Sequence, residues 1–251
     1  MSRIWIITLF PEYFAPLKDV GVAGQALQGM RGEGIELHTV LLRDYSPKGH
    51  KGVDDAPYGG GPGMVMRADV LKNALMEGIV GPGQYGENFK DKLHVIYTGP
   101  RGKVWNNEYC KDLAGRYLGE NKTKDLVFIC GRYEGIDERF LEEYVDETIC
   151  LGDFVLTGGE IPVMAIIDSA MRFSKGVLGN NESANLDSFE DGLLEHAQYT
   201  RPMEFDGKKV PEVLLSGHHK NIELHRQKEK EYFTKKFRPD LYEKYKDQGK
   251  K

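Results

Sequence analysis

Between residues 4 and 173 the chain alternates short apolar runs with stretches of helical spacing, and this alternation restricts the fold more than any other feature. Apolar runs at 4–9, 35–42, 93–98, 125–130 and 145–150 are of strand length. Between and after them, residues 14–30, 68–77, 104–118, 137–144 and 162–173 read as helices; in one, Trp105, Tyr109, Leu113 and Tyr117 recur at steps of four. Pro162 falls in the first turn of the last helix, where a missing N–H costs nothing. Such alternation predicts an α/β domain, a mostly parallel sheet with helices on both faces. After Phe173 the pattern stops. Residues 174–200 are rich in Gly, Asn, Ser and Asp, and 201–251 are charged and helical. The expected organisation is a domain at 1–173, an interdomain linker at 174–200 and a small helical C-terminal domain at 201–251.

Composition narrows the class. Of 251 residues 40% are hydrophobic and 29% charged, as in folded rather than disordered chains. The opening MSRIWIITLFPEYF has an apolar run interrupted by Pro11 and Glu12. It is too short to cross a bilayer and has no signal-peptide cleavage pattern, so no membrane partner is expected. Cys110, Cys130 and Cys150 have neither C-x-x-C nor zinc-ligand spacing and read as core thiols of a reducing cytoplasm. The net charge of −5 is uneven: residues 218–251 hold 11 Lys/Arg against 6 Asp/Glu. An acidic body with a basic C-terminal arm suits nucleic acid, and a solvated helix surface would look the same.

Three glycine-bearing segments follow strand-like runs: YTGPRG (97–102), CGRYEG (130–135) and LGDFVLTGGE (151–160). In open parallel sheets ligands bind beyond the carboxyl ends of strands, so three such loops predict one convergent site. There is no G-x-x-x-x-G-K-[ST], and the first strand ends in TLFPEYF rather than a dinucleotide fingerprint. DDAPYGGGPGM (54–64) lies in a long loop and suits a segment that orders over a substrate.

GRYEGIDER, LGDFVLTGGE before a proline-started helix, and DDAPYGGGPGM together resemble the bacterial tRNA (guanine-37-N1)-methyltransferase family, TrmD, of the SPOUT class. The likeness runs from ITLFPEYF through SANLDSF and YTRP to VLLSGHH. It implies a deep trefoil knot in the sheet, whose loops hold S-adenosylmethionine. The matching cofactor positions are Tyr97, Thr98 and Pro100; Gly131, Tyr133 and Glu134; and Leu151, Gly152, Asp153, Phe154, Val155 and Leu156, with Gly158 and Gly159 behind. The chain departs from the family in having YTGPRG for Y-L/M-S-P-x-G, and Phe154 where tyrosine is common.

Methylating N1 of guanine requires removing a tightly held proton while charge builds on O6, so a carboxylate base and a cation are the minimal kit. The resemblance assigns Asp187 as base and Arg172 as the stabilising cation. On residues alone, Asp187 reads more readily as a helix N-cap than as a base, and Arg172 as a surface salt-bridge partner of Asp168. The likeness further implies a homodimer in which the linker of one chain reaches the cofactor of the other, and a tRNA anticodon stem-loop as partner. Glu138 and Arg139 would begin a helix and reach the partner chain, or form an ordinary exposed helix start. Metal dependence is associated with the family, which leaves Mg2+ open; no metal ligand is assigned, and His218-His219 lacks a third ligand. Tyr232, Phe233, Tyr242 and Tyr245 belong either to an RNA-tracking surface or to the small domain's own core. The competing readings are a SPOUT enzyme acting on ribose 2′-OH and a non-catalytic nucleotide- or RNA-binding protein.

Overall fold

A parallel sheet covered on both faces needs strands that send apolar side chains both ways. The computed structural model, which describes residues 1–47, 52–179 and 187–248, has seven strands in its first part. They are β1 (Ser2–Thr8), β2 (Ile35–Leu41), β3 (Asp54–Asp55), β4 (Val65–Met66), β5 (Leu93–Val104), β6 (Asp125–Ile129) and β7 (Glu147–Cys150). Five of them form one sheet in the order β2-β1-β6-β5-β7, with every pair parallel. Along β1, Ile4 and Ile6 enter one hydrophobic cluster and Trp5 and Ile7 the other; along β6, Leu126 and Phe128 alternate likewise with Val127 and Ile129. The first cluster is closed by helices Asn107–Tyr117 and Glu160–Met171, the second by Ala68–Leu75 and Glu138–Tyr144. The expected α/β architecture is therefore present.

Local chemistry sets the helix starts. Asn106 caps its helix by accepting from Tyr109 N at 3.0 Å, and Asp137 caps the next by accepting from Arg139 N at 3.0 Å. Other boundaries differ from expectation. Residues 14–30 do not form one helix but a turn, Pro11–Phe14, and two short helices, Ala15–Asp19 and Gly21–Leu27. The break comes where Val20 is extended and Gly21 takes a φ of +72°, a conformation that favours glycine. The 68–77 helix continues through a π-helical turn, Met76–Val80, and Gly78 lets it approach Val40 and Tyr45. β5 extends past 98: both Thr98 and Lys103 register with Ile149, so residues 99–102 leave the ladder as a bulge and rejoin it.

The chain separates into two compact units, Met1–Asn181 and Glu182–Lys251. The second holds helices Glu212–Leu215, His219–Phe237 and Pro239–Gln248, together with a hairpin of β8 (Glu204–Phe205) and β9 (Lys208–Lys209) that periodicity did not predict. Asp206 and Gly207 turn the hairpin with positive φ at both positions. Leu193 and Thr234 are fully buried here, and the Thr234 hydroxyl accepts from Leu194 N at 2.8 Å. The aromatics divide: Tyr232 is exposed, while Phe233, Tyr242 and Tyr245 are half-buried. Among the described residues no helix is long and apolar enough to cross a membrane.

Candidate active site

β5, β6 and β7 deliver the three glycine-bearing segments to one cleft of about 320 Å3. Its wall comprises Tyr97, Thr98, Gly99 and Pro100, residues 131–135, 149–152 and 154–159, and Pro162. Close backbone approach shapes it. A Cβ on Gly99 would stand 2.6 Å, and one on Gly131 2.8 Å, from atoms of the Tyr97 ring, so two glycine backbones flank that ring. Burial raises the Tyr97 hydroxyl above its ordinary range, against the opposing effect of Arg101. A Cβ on Gly159 would meet Cys130 Cα at 2.7 Å and Gly131 N at 2.8 Å, and Gly159 N donates to Gly131 O at 2.9 Å. The third loop thus lies directly on the second.

A buried ion pair locks that contact. Glu160 is 1% exposed and accepts from the Thr8 hydroxyl at 2.8 Å. The Arg132 guanidinium pairs with Glu160 Oε2 at 2.7 Å, donates to Thr157 O at 2.9 Å, and lies 4.5 Å from the centre of the Phe10 ring. A buried carboxylate needs such pairing, and here it ties the 157–160 turn to residue 132. Burial, reinforced by Glu160, pushes the Cys130 thiol well up, which disfavours its thiolate.

The glycine-dense loop is anchored to the same place. β3 and β4 pair antiparallel, Glu134 N donates to Met64 O at 3.0 Å, and Asp137 N donates to Met66 O at 3.0 Å. Gly63, at φ +86°, leaves the space that the Glu134 side chain fills. Tyr133 itself has a φ of +57° and is 53% exposed. The charges beyond β6 largely neutralise one another: Arg101 forks onto Glu138 at 2.7 and 3.1 Å, and Arg139 pairs with Asp137 at 2.7 Å.

The cleft fits a ligand with a polar edge and an apolar body. Thr98 Oγ1 is buried without a hydrogen-bond partner, glycine backbone is close at hand, and Phe154 and Val155 are 59% and 94% exposed. S-adenosylmethionine has that character. Among the described residues no three His, Cys, Asp or Glu side chains converge as a metal site.

The family model of tRNA (Guanine-1)-methyltransferase TrmD matches residues 2–244. The chain belongs to this family. It is 47% identical over 244 residues to a tRNA (guanine-N(1)-)-methyltransferase of Clostridium perfringens strain SM101, covering 97% of this chain and 94% of that protein. A protein of the same name from Clostridium botulinum strain Loch Maree is 46% identical, with 97% and 93% covered.

On this member of the TrmD family, thirteen of the fourteen expected cofactor positions line the cleft. Asp153 does not; it is exposed in a tight turn closed by Phe154 N donating to Gly152 O at 2.9 Å. Arg132, Gly135, Ile149, Cys150, Thr157, Pro162 and Gly99 also line it and were not expected. Most adjoin expected residues in the same loops, but nothing local distinguishes the Arg132–Glu160 pair, whose members are 28 positions apart. Arg172 caps the C-terminus of helix Glu160–Met171, outside the cleft wall. Asp187 belongs to the second unit, in a turn where Glu190 N donates to Asp187 O at 3.4 Å. No helix begins there, so Asp187 is not a helix cap. Residues 183–186 of the SANLDSF motif lie outside the described residues.

Proposed function

We propose that this protein transfers a methyl group from S-adenosylmethionine to N1 of guanosine 37 of tRNA, 3′ of the anticodon. The observation that carries the proposal is the three-loop cleft at the strand ends, in a chain of the TrmD family. When bound, the co-substrate supplies an electrophilic methyl carbon on a sulfonium. The cleft would hold its adenine edge with backbone groups near Gly131 and Gly152 and its apolar body with Leu151, Phe154 and Leu156. Asp187 would accept the N1 proton, and Arg172 would stabilise the charge developing on O6. In the proposed transfer the N1–C bond would form as the co-substrate's S–C bond breaks, and the N1 proton would pass to the Asp187 carboxylate. No covalent enzyme intermediate is required.

The deep knot belongs to the same proposal; the contact of Gly159 with the Cys130–Gly131 backbone is what a threaded segment would make there. So does a homodimer. Val20, Val22 and Ile161 are 68%, 40% and 45% exposed around an apolar hollow that a second copy would cover. Residues 201–251, with their basic arm, would clamp the anticodon stem-loop. The buried free thiols fit a reducing cytoplasm. Methyl transfer to transcripts carrying G or A at position 37, with and without Mg2+, tests the reading. Mapping the product should place the methyl on N1 of G37; a methyl on ribose, or none, refutes it.

A further inference from the structure

The second unit has its own cavity, of about 470 Å3, which the methyl-transfer chemistry does not use. Its lining combines apolar Met203, Leu214 and Ile222 with Tyr199, Arg201 and Arg226, and includes no carboxylate. Ile222 and Arg226 are one turn apart on helix His219–Phe237, so one helix face presents both an apolar and a cationic group. The short helix Glu212–Leu215 brings Leu214, and the bond from Val210 N to Met203 O at 3.0 Å folds the hairpin beside it.

Two features point to an anionic, flat ligand. Neither the Arg201 nor the Arg226 guanidinium has an ion pair or hydrogen bond among the described residues, whereas that of Arg238 in the same unit forks onto Asp240 at 2.7 and 2.9 Å. Beside these cations, Tyr199 leaves 47% and Met203 64% of its surface exposed. Unpaired guanidinium groups are fitted to bind phosphate and to stack on planar groups. RNA read in single-stranded loops offers both, since its bases splay out and stack on aromatic or arginine side chains. The volume falls in the range that suits one small ligand.

We propose that this cavity receives one unstacked nucleotide of the tRNA substrate, its base against Tyr199 and its phosphate on Arg201 and Arg226. The inference rests on the tRNA reading above. It is tested in the full-length protein with Tyr199→Ala, Tyr199→Phe, Arg226→Ala and Arg226→Lys, by measuring tRNA affinity across salt concentrations and S-adenosylmethionine affinity by calorimetry. Loss of stacking in Tyr199→Ala should weaken tRNA binding about five- to a hundredfold, while Tyr199→Phe stays within about twofold of wild type. Arg226→Ala should weaken binding and reduce the salt slope by about one counterion, and Arg226→Lys should restore the slope. S-adenosylmethionine affinity should not move. If wild type methylates tRNA and the alanine variants bind it within about twofold of wild type, the pocket assignment falls and the reaction stands. If wild type methylates no tRNA, the reading beneath it falls. A dimer that dissociates in Tyr199→Ala, with tRNA affinity intact, would assign the cavity to a contact between chains and overturn the proposal.

Discussion

Gly159→Ala isolates the close approach that brings the two cofactor loops together. Gly159 has φ −80° and ψ −7°, which alanine adopts freely, so backbone strain makes no contribution. By its effect on the unfolded chain alone, the substitution would stabilise the protein by about 0.4–1 kcal/mol. The structure reverses that sign. The new Cβ would lie 2.7 Å from Cys130 Cα, 2.8 Å from Gly131 N and 2.8 Å from Thr98 Oγ1, against an ordinary contact of 3.4 Å or more. Two of these are backbone atoms of a buried strand end and cannot rotate away. Relief requires the loops to separate by roughly 0.7 Å, which strains the bond from Gly159 N to Gly131 O. Overpacking costs about 1–3 kcal/mol and a weakened hydrogen bond about 0.5–1.5, leaving a net loss near 2–3 kcal/mol.

For a unit of this size that loss corresponds to a melting temperature lower by about 5–10 °C. Gly115→Ala is the matched control: it lies in helix Asn107–Tyr117 with nothing within 4 Å of its Cβ, and should gain about 0.5–1 kcal/mol. Urea titrations of both variants read the opposite signs, and calorimetry reads the cofactor. Because both separated segments are cleft wall, Gly159→Ala should lose S-adenosylmethionine affinity by about tenfold or more. A Gly159→Ala protein as stable as Gly115→Ala, with unchanged cofactor affinity, would refute the reasoning.

Asp187→Asn should lower the single-turnover rate by roughly 10²–10⁴-fold while sparing cofactor and tRNA affinity, since asparagine keeps the shape but cannot accept the N1 proton; a rate within about threefold of wild type rules Asp187 out as base. Inactive Arg172→Ala and Asp187→Ala chains, mixed under verified subunit exchange, should recover part of the activity if the two residues meet from different chains, and no recovery counts against the shared site. Burial pulls the Glu147 carboxyl upward, but hydrogen bonds from His94 and Tyr109 outweigh it and hold the group below its ordinary value of 4.5. Its stabilisation is therefore full above about pH 4.5 and is lost as pH falls through the lowered folded value, so Glu147→Gln should show a flatter acid limb in thermal melts; an unchanged limb refutes the pairing.

The five strands of the sheet were legible because buried parallel strands read as apolar runs, and the cleft because glycine must stand wherever a main chain approaches another group closely. The break at Val20–Gly21 was not legible, since a glycine inside a helical pattern looks the same whether tolerated or used at φ +72°. Nor was the 99–102 bulge, which depends on Thr98 and Lys103 competing for one partner on β7. The Arg132–Glu160–Thr8 chain spans 152 positions, and no local pattern announces a contact made only after three strands have assembled.

The proposed catalytic pair came from the family resemblance and was not legible in the residues alone, for a different reason. A cofactor site built from loop backbone leaves a glycine signature, whereas a base and a cation are ordinary residues that acquire a role from what is brought to them. Arg172 closes a helix of the first unit, and Asp187 occupies a turn of the second. The proposed assignment of roles has a consequence for binding. On the proposed assignment, cofactor affinity would depend on the loops gathered at Gly131 and Gly159, and turnover on Arg172 and Asp187. Substitutions should therefore fall into two sets: those in the glycine loops that lower affinity for S-adenosylmethionine, and those at Arg172 and Asp187 that leave it intact while lowering the methyl-transfer rate. A variant of Asp187 that lost cofactor affinity as steeply as Gly159→Ala would mean that the base lies within the cofactor site itself, and the division would fail.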